Sequence, residues 1–187
     1  MPAPTPLRKL RPAEIDRASP ALLAALPRYP VAAILDNVRS IHNVGSMFRT
    51  ADATRLLHLH LAGYTGTPAH RDLHRTALGA EDTVPWSHEP DADALVARLR
   101  AAGYTIAVLE LTDRPTDVEA LGTQHFPLVF VVGNEVDGVR DTLVAAADVA
   151  LELPQFGAKA SLNVANAFAV AAYDLVRHAR RLGLAPA

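Results

Sequence analysis

Short apolar segments that alternate with helical patterns are the feature that most limits how this chain can fold. Five such segments cover residues 31–36, 56–63, 104–111, 127–133 and 149–154. Helical patterns lie between or after them, over residues 43–54, 71–78, 91–102, 139–146 and 160–182. Strands that are apolar throughout are typical of a sheet covered on both faces. The pattern therefore predicts an α/β fold with a mainly parallel sheet flanked by helices.

The length and composition predict a single main domain. The chain has 187 residues, 50% of them hydrophobic, which is enough for a substantial core. Residues 1–30 are rich in proline and predict an N-terminal arm with one short helix, for which Ser19 is the expected N-cap. Residues 31–187 are expected to form the domain itself.

Several functional classes are excluded or disfavoured by composition. A formal net charge of −2 argues against coating nucleic acid by bulk charge, although arginines can still converge locally. The chain has no cysteine, so disulfides and thiolate metal sites are excluded. The histidine pairs His58/His60 and His70/His74 lack a third ligand at a suitable spacing, so no metal is expected. Without a signal-peptide pattern or an apolar span, the expected location is the cytoplasm, away from membranes.

Three polar stretches follow predicted strands. They read DNVRSIHN after residues 31–36, GNEVDGV after the segment that ends near residue 132, and PQFGAKASLN after residues 149–153. In open parallel sheets, ligands bind outside the carboxyl ends of the strands. The three stretches are therefore expected to lie near one another and to form a site.

The first stretch continues into a helix that carries an unusual arginine. Asn43 is a good N-cap for that helix. Arg49 lies between Met47 and Ala51 in a helix expected to pack on the sheet, where an unpaired arginine is costly. A phosphate or carboxylate is the natural partner for its planar guanidinium.

The second and third stretches supply turn residues and polar groups. Gly133 is expected to let a ligand approach the backbone closely, and Gly138 is expected to permit a tight turn. Glu135 is then an acid in a loop at the strand end. Ser161 is the expected N-cap of the last helix, and Asn163 is expected in its first turn. The phosphate-binding P-loop pattern and the dinucleotide fingerprint are both missing, which disfavours a nucleotide-dependent oxidoreductase.

Together the stretches NVGSMFRTADA, VVGNEVDGV and LPQFGAKASLNVANAFAV resemble the three signature motifs of the SpoU (TrmH-type) RNA 2'-O-ribose methyltransferases, in the SPOUT superfamily. The stretch TALGAEDTVPW is similar to a fourth segment common in that family. The resemblance runs from about residue 31 to residue 178, with the motifs in the family's order. It implies a SPOUT fold with a C-terminal deep trefoil knot, S-adenosylmethionine as cofactor, an RNA substrate and a homodimer with its active site near the interface.

The resemblance also implies roles for individual residues. The positions that match the family's catalytic set are Arg49, Asn43, Glu135, Ser161 and Asn163. The positions expected to contact the cofactor are Gly133, Leu153, Leu162, Asn134 and Leu109. The residues expected to contact RNA are Arg39, His42, Arg71 and Arg75. Gln155 departs from the family, which often has methionine at that position.

The substrate and one mechanistic role are less sharply determined. Arginine stays protonated in proteins, so Arg49 is better suited to clamp a phosphate and stabilise an alkoxide than to act as a general base. The absence of a family-type RNA-binding domain ahead of the motifs favours tRNA over rRNA. Two alternatives stay open, namely a SPOUT enzyme that methylates a base nitrogen and a non-catalytic RNA-binding or assembly factor.

Overall fold

A single parallel sheet forms the centre of the protein in the computed structural model, which describes residues 7–15 and 19–184. Its strands are β1 (Val31–Asp36), β2 (Leu59–Ala62), β3 (Trp86–Glu89), β4 (Thr105–Leu109), β5 (Leu128–Val132) and β6 (Val149–Leu151). The sheet order is β3-β2-β1-β5-β4-β6, and every strand pair is parallel. The helices are α1 (Pro20–Ala25), α2 (Ile41–Thr54), α3 (His74–Ala77), α4 (Ala92–Ala101), α5 (Asp141–Ala145) and α6 (Val164–Arg181). The predicted α/β fold with a parallel sheet is confirmed.

Both faces of the sheet are covered, which explains why β1 is apolar along nearly its whole length. Successive side chains of a strand point to opposite faces. Val31, Ala33 and Leu35 belong to the core that contains residues of α2 and α6. Ala32 and Ile34 belong to the opposite core, with residues of α4 and α5. The helices therefore form two layers, one on each face of the sheet.

The edge strand β3 was not predicted from the sequence. Its residues alternate between exposed and half-buried, and Trp86 is the only large apolar side chain among them. An edge strand with one neighbour needs no continuous apolar run, so the pattern that identifies central strands is missing. Two predicted helices are also shorter than expected, since α3 covers 74–77 and α5 covers 141–145.

The end of the predicted N-terminal arm is tied to the sheet. The expected cap of α1 is present, because the Ser19 hydroxyl accepts a hydrogen bond from the Leu22 amide at 3.2 Å. Arg28 is buried and donates to the Leu56 carbonyl at 3.1 Å. Arg55, just after α2, donates to the carbonyls of Leu23 and Pro27. The division of the chain at residue 30 stays a proposal.

The last helix, α6, lies on the α2 side of the sheet. Phe168 on α6 packs against Phe130 on β5, with ring centroids 5.1 Å apart. Farther along α6, the buried imidazole of His178 makes a 2.7 Å hydrogen bond with the Leu121 carbonyl, in the segment that joins β4 to β5. The predicted knot requires the C-terminal segment to pass through that connection, and this threading stays a prediction. Among the residues that the structure describes, no helix is both long and apolar enough to span a bilayer.

A polar cluster joins the edge strand β3 to β2. The Ser87 hydroxyl lies 3.1 Å from a ring nitrogen of His58 and 3.1 Å from one of His60, and it donates to Glu89 at 3.0 Å. One hydroxyl therefore satisfies three neighbours. Burial, with His58 close by, lowers the pKa of His60 to about 4, and burial also lowers the pKa of His58.

This cluster makes the free energy of unfolding depend on pH in the mildly acidic range. Burial favours the neutral form of His60 in the folded protein. As the pH falls from the unfolded pKa of 6.5 toward about 4, the unfolded chain takes up a proton at His60 and the folded protein does not, so the stability present above pH 6.5 is lost. Because of His60, the free energy of unfolding should be about 1 kcal/mol lower at pH 5.5 than at pH 7.5. Urea unfolding at the two pH values measures this change. A His60→Asn variant with the same pH dependence as the wild type would contradict the prediction.

Candidate active site

The three polar stretches do converge, at the carboxyl ends of the strands. β1 and β5 are neighbours in the sheet, where the strand order changes direction. Ligands bind at this switch point in open parallel sheets. The segment 37–40 follows β1 and the segment 133–138 follows β5, so adjacent strands place them side by side. The third stretch, 154–163, lies after β6 and returns across the sheet end to the start of α6.

Glu135 joins the first two stretches. Its carboxylate accepts hydrogen bonds from the backbone amides of Arg39 and Ser40, each at 3.0 Å. It also accepts one from the Asn43 side-chain amide at 2.7 Å. Partial burial by itself would raise the pKa of Glu135, but these donors outweigh it and the pKa is lowered. Glu135 is therefore a fixed anion at neutral pH.

Asn43 carries the connection on to the third stretch. Its side-chain oxygen accepts a hydrogen bond from the side-chain amide nitrogen of Asn163 at 3.3 Å. The expectation that Asn43 caps α2 is wrong, since Ser40 occupies that position and accepts from the Asn43 backbone amide at 3.4 Å. The Asn43 side chain is consequently available to bridge Glu135 and Asn163.

The last helix begins later than the sequence pattern indicates. Asn163, and not Ser161, is its N-cap, because the Asn163 oxygen accepts from the Ala165 amide at 3.0 Å and the Asn166 amide at 3.3 Å. Ser161 and Leu162 lie before the helix and are exposed. Leu162, with 45% of its surface exposed, is therefore not part of the helix's packing face. Both residues instead face a cavity.

A cavity of about 490 Å³ lies between the second and third stretches and the end of β4. This volume is within the ordinary range for small-molecule sites. The residues predicted to contact a cofactor all line it, namely Leu109, Gly133, Asn134, Leu153 and Leu162. Three of the predicted catalytic residues line it as well, namely Glu135, Ser161 and Asn163.

The charge of this cavity is one-sided. Four carboxylate side chains are part of its lining, those of Glu110, Glu135, Asp137 and Glu152. No lysine, arginine or histidine is among the described residues that line it. A cavity of this kind favours a ligand that carries positive charge.

Gly133 is required by the packing of its own loop. A side chain on Gly133 would collide with the backbone of Gly138, with which Asn134 forms two backbone hydrogen bonds of 3.2 Å. The sequence instead attributed Gly133 to the approach of a ligand. Gly138 has a φ of +69°, so the predicted tight turn is present.

The arginines and histidine expected near RNA lie outside the cavity. Arg39, His42, Arg71 and Arg75 are all exposed, and Arg75 pairs with Asp72 at 3.2 Å. Arg49 is on α2 but is exposed, so the expectation of a buried arginine in need of a partner is wrong. With no ion pair to any described residue, Arg49 can bind an external anion.

Two groups of charged residues near this end of the fold were not predicted. Asp36, at the end of β1, is buried and pairs with Arg140 at 2.8 Å, and Arg140 also binds Asp93 at 3.1 Å. Separately, the buried Glu81 contacts His74. An aspartate at the end of an apolar strand was the one sequence signal for the first group. Arg140 lies 104 positions from Asp36 and 47 positions from Asp93, so the sequence gave no local signal for these pairs.

Comparison with known proteins identifies the family. The model of the SpoU rRNA Methylase family matches residues 30–173. The chain belongs to this family. The recognition of the family from its motifs is thus confirmed.

Named relatives modify both tRNA and rRNA. A tRNA (guanosine(18)-2'-O)-methyltransferase of Thermus thermophilus is 30% identical over 152 residues, which is 81% of this chain and 76% of the relative. A 23S rRNA (guanosine-2'-O-)-methyltransferase, RlmB, of Nitrosomonas europaea is 29% identical over 163 residues, which is 87% of this chain but only 62% of the relative. The predicted activity agrees with these names.

Solved structures give the same result. A TrmH/SpoU tRNA modifying enzyme of A. aeolicus superposes with a TM-score of 0.77 at 25% identity, covering 87% of this chain and 82% of that one. An AdoMet-bound rRNA methyltransferase of Sinorhizobium meliloti has a TM-score of 0.74 at 29% identity, covering 87% and 61%. The SPOUT fold class of the chain is thus confirmed.

The cavity wall gives a testable prediction. Gly133→Ala places a methyl group against the Gly138 backbone, so it should lower the free energy of unfolding by about 1–3 kcal/mol through overpacking. Gly157→Ala is the matched control, because a Cβ there meets no atom within 4 Å. Urea unfolding of both variants measures the difference. Equal stability of the two would show that the loop yields freely at Gly133.

Proposed function

We propose that this protein transfers a methyl group from S-adenosylmethionine to a ribose 2'-hydroxyl of RNA, with tRNA as the substrate. The observation that carries the proposal is the acidic cavity, with the hydrogen-bonded residues Glu135, Asn43 and Asn163 at its edge. The family of the chain and the names of its relatives support the reaction class.

The cavity suits S-adenosylmethionine in size and charge. The cofactor supplies a methyl group that is already activated on a positively charged sulfonium. The four carboxylates of the cavity complement the positive charges of the sulfonium and the ammonium. Leu109, Leu153 and Leu162 offer apolar contacts for the adenine ring. Gly133 and Asn134 place backbone groups along the same wall, where they can recognise its ring nitrogens.

The exposed cations outside the cavity suit the RNA. Arg39 lies just before α2 and His42 in its first turn, whereas Arg71 lies just before α3 and Arg75 within it. Phosphate contacts by such side chains position a nucleic acid without reading its sequence. The RNA would thus be held by these exposed cations, while the carboxylates of the cavity repel the RNA phosphates.

The chain's own contribution to the reaction is to position the ribose and stabilise its oxygen. In this transfer the 2'-oxygen would gain the methyl group as the bond from the methyl carbon to the sulfonium sulfur breaks, and the hydroxyl proton would pass to solvent water at the exposed cavity edge. A guanidinium offers hydrogen-bond donors and no acceptor, so Arg49 clamps a neighbouring phosphate and stabilises the developing 2'-alkoxide. Ser161 and Asn163 are the polar groups at the cavity edge that orient the ribose, with Asn163 held in place by Asn43.

A homodimer is part of the proposal. Val170 and Tyr173 are on the outward side of α6 and have 43% and 48% of their surface exposed. Leu162, at the cavity edge, precedes the same helix. A second copy seated on this side of α6 would cover these apolar groups and place the interface beside the cavity.

The direct test compares RNA classes. The purified protein is incubated with methyl-labelled S-adenosylmethionine and with separate tRNA and rRNA prepared from a strain that lacks the gene. Digestion to nucleosides and mass spectrometry should then find a 2'-O-methylated nucleoside in tRNA. Label in rRNA alone would show that rRNA, and not tRNA, is the substrate. Label on a base would identify a base methyltransferase. Binding of S-adenosylmethionine and RNA without methyl transfer would support a non-catalytic RNA-binding factor.

The same assay tests Arg49. Both Arg49→Ala and Arg49→Lys should lower kcat by about 10²- to 10³-fold, because lysine cannot supply the planar fork that holds a phosphate. Binding of S-adenosylmethionine, measured by calorimetry, should be unchanged in both. Arg98→Ala, at an exposed arginine of α4 on the opposite face of the sheet, is the control and should keep wild-type turnover. Near wild-type turnover of Arg49→Ala would remove Arg49 from the mechanism.

A further inference from the structure

The contact between Glu135 and the first stretch depends on two segments being held at a fixed separation. Glu135 lies near the tip of the segment that follows β5, and it accepts the amides of Arg39 and Ser40 from the segment that follows β1. Both segments are exposed at this point. Hydrogen bonds between two exposed segments persist only where the bases of the segments are fixed by other contacts.

An ion pair fixes those bases. Asp36 is the last residue of β1, and its side chain is only 1% exposed. Arg140 follows the Glu135 segment and binds Asp36 through two N–H groups, at 2.8 Å and 3.3 Å. A third N–H group of Arg140 donates to Asp93 on α4 at 3.1 Å. The hydrogen bond with Asp36 raises the pKa of Arg140, so Arg140 keeps its positive charge.

The segment between Glu135 and Arg140 is itself constrained. The backbone groups of Asn134 and Gly138 bond to each other in both directions at 3.2 Å. The Val139 amide donates to the Glu110 carboxylate at 2.9 Å. Because this short turn is held by its own hydrogen bonds, the position of Arg140 determines the position of Glu135.

We infer that Arg140 is a positioning residue of the active site, which sets the place of Glu135 against the Arg39 and Ser40 amides by binding Asp36. The inference rests on the proposed function for its effect on turnover, but not for its effect on local structure. A planar fork with three N–H contacts to two carboxylates fixes a direction as well as a distance, which a single ammonium does not. Small displacements of catalytic groups cost much of the rate.

The alternative is that Arg140 only strengthens packing between α4 and α5. In that case the loss of Arg140 would destabilise the whole fold evenly. The hydrogen–deuterium exchange rates of the Arg39 and Ser40 amides would then rise no more than those of other amides. A positioning role predicts that these two amides change most. Hydrogen–deuterium exchange therefore separates the two possibilities without any RNA.

The test uses Arg140→Lys, which keeps a cation beside Asp36 but removes the fork. Exchange at the Arg39 and Ser40 amides should become about tenfold faster or more. The amides of Ala33 in β1 and of Leu57 just before β2 serve as references and should keep wild-type rates. Arg100→Lys is the matched control, because Arg100 on α4 pairs with Asp148 at 2.9 Å and has 43% of its side chain exposed, compared with 39% for Arg140. It should leave all four amides unchanged.

Turnover supplies the second measurement. Arg140→Lys should lower kcat by about 10- to 100-fold and leave the KM for RNA within about twofold. In a Glu135→Gln background the same substitution should have no further effect, because the group it positions is gone. Unchanged exchange at Arg39 and Ser40, or an equal loss of kcat in both backgrounds, would overturn the inference.

The two proposals can fail separately. A wild-type protein that methylates no RNA would contradict the proposed function, while the exchange measurement would still decide the role of Arg140. If Arg140→Lys does not fold, Asp93→Asn loosens the same guanidinium and leaves Asp36 paired. It should accelerate exchange at the same two amides, and wild-type rates there would count against the inference.

Discussion

The carboxylate of Glu135 is the interaction on which the site depends. It accepts two backbone amides from the segment after β1 and the side-chain amide of Asn43, and Asn43 in turn binds Asn163. One anion therefore connects three distant parts of the chain. Asn43 is 92 positions from Glu135 and 120 positions from Asn163 in sequence. A neutral side chain at position 135 would hold these donors less strongly, because hydrogen bonds to an ionised acceptor are the stronger ones.

The sheet makes this connection possible. Parallel pairing of β1 with β5 places the ends of the two strands next to each other, although residues 37–127 separate them in sequence. Beneath the tip contact, the buried Asp36 binds the half-buried Arg140 and joins the same two segments again. Two contacts at different heights fix a loop better than one, since a single contact leaves the loop free to rotate about it.

The distribution of charge separates the two ligands of the proposed reaction. Carboxylates line the cavity, whereas the arginines near this end of the fold are exposed outside it. A net charge of −2 conceals this separation, because it averages over both regions. A cationic cofactor and an anionic RNA would each meet the complementary charge, and neither would compete for the other's place.

The sequence alone determined the class of fold, and it picked out eight of the residues that line the cavity. Apolar strands such as Val31–Asp36 predict burial on both faces, and the three motifs name Arg49, Glu135 and Asn163 without any coordinates. Local pattern failed where the deciding neighbour was distant in sequence. Ser40 rather than Asn43 caps α2, Asn163 rather than Ser161 caps α6, and the polar strand β3 exists because β2 offers it an edge. Only the tertiary structure brought Arg140 to Asp36 and freed Asn43 to join Glu135 to Asn163, because the hydrogen bonds of a site are formed between segments that the fold, and not the order of the chain, places side by side.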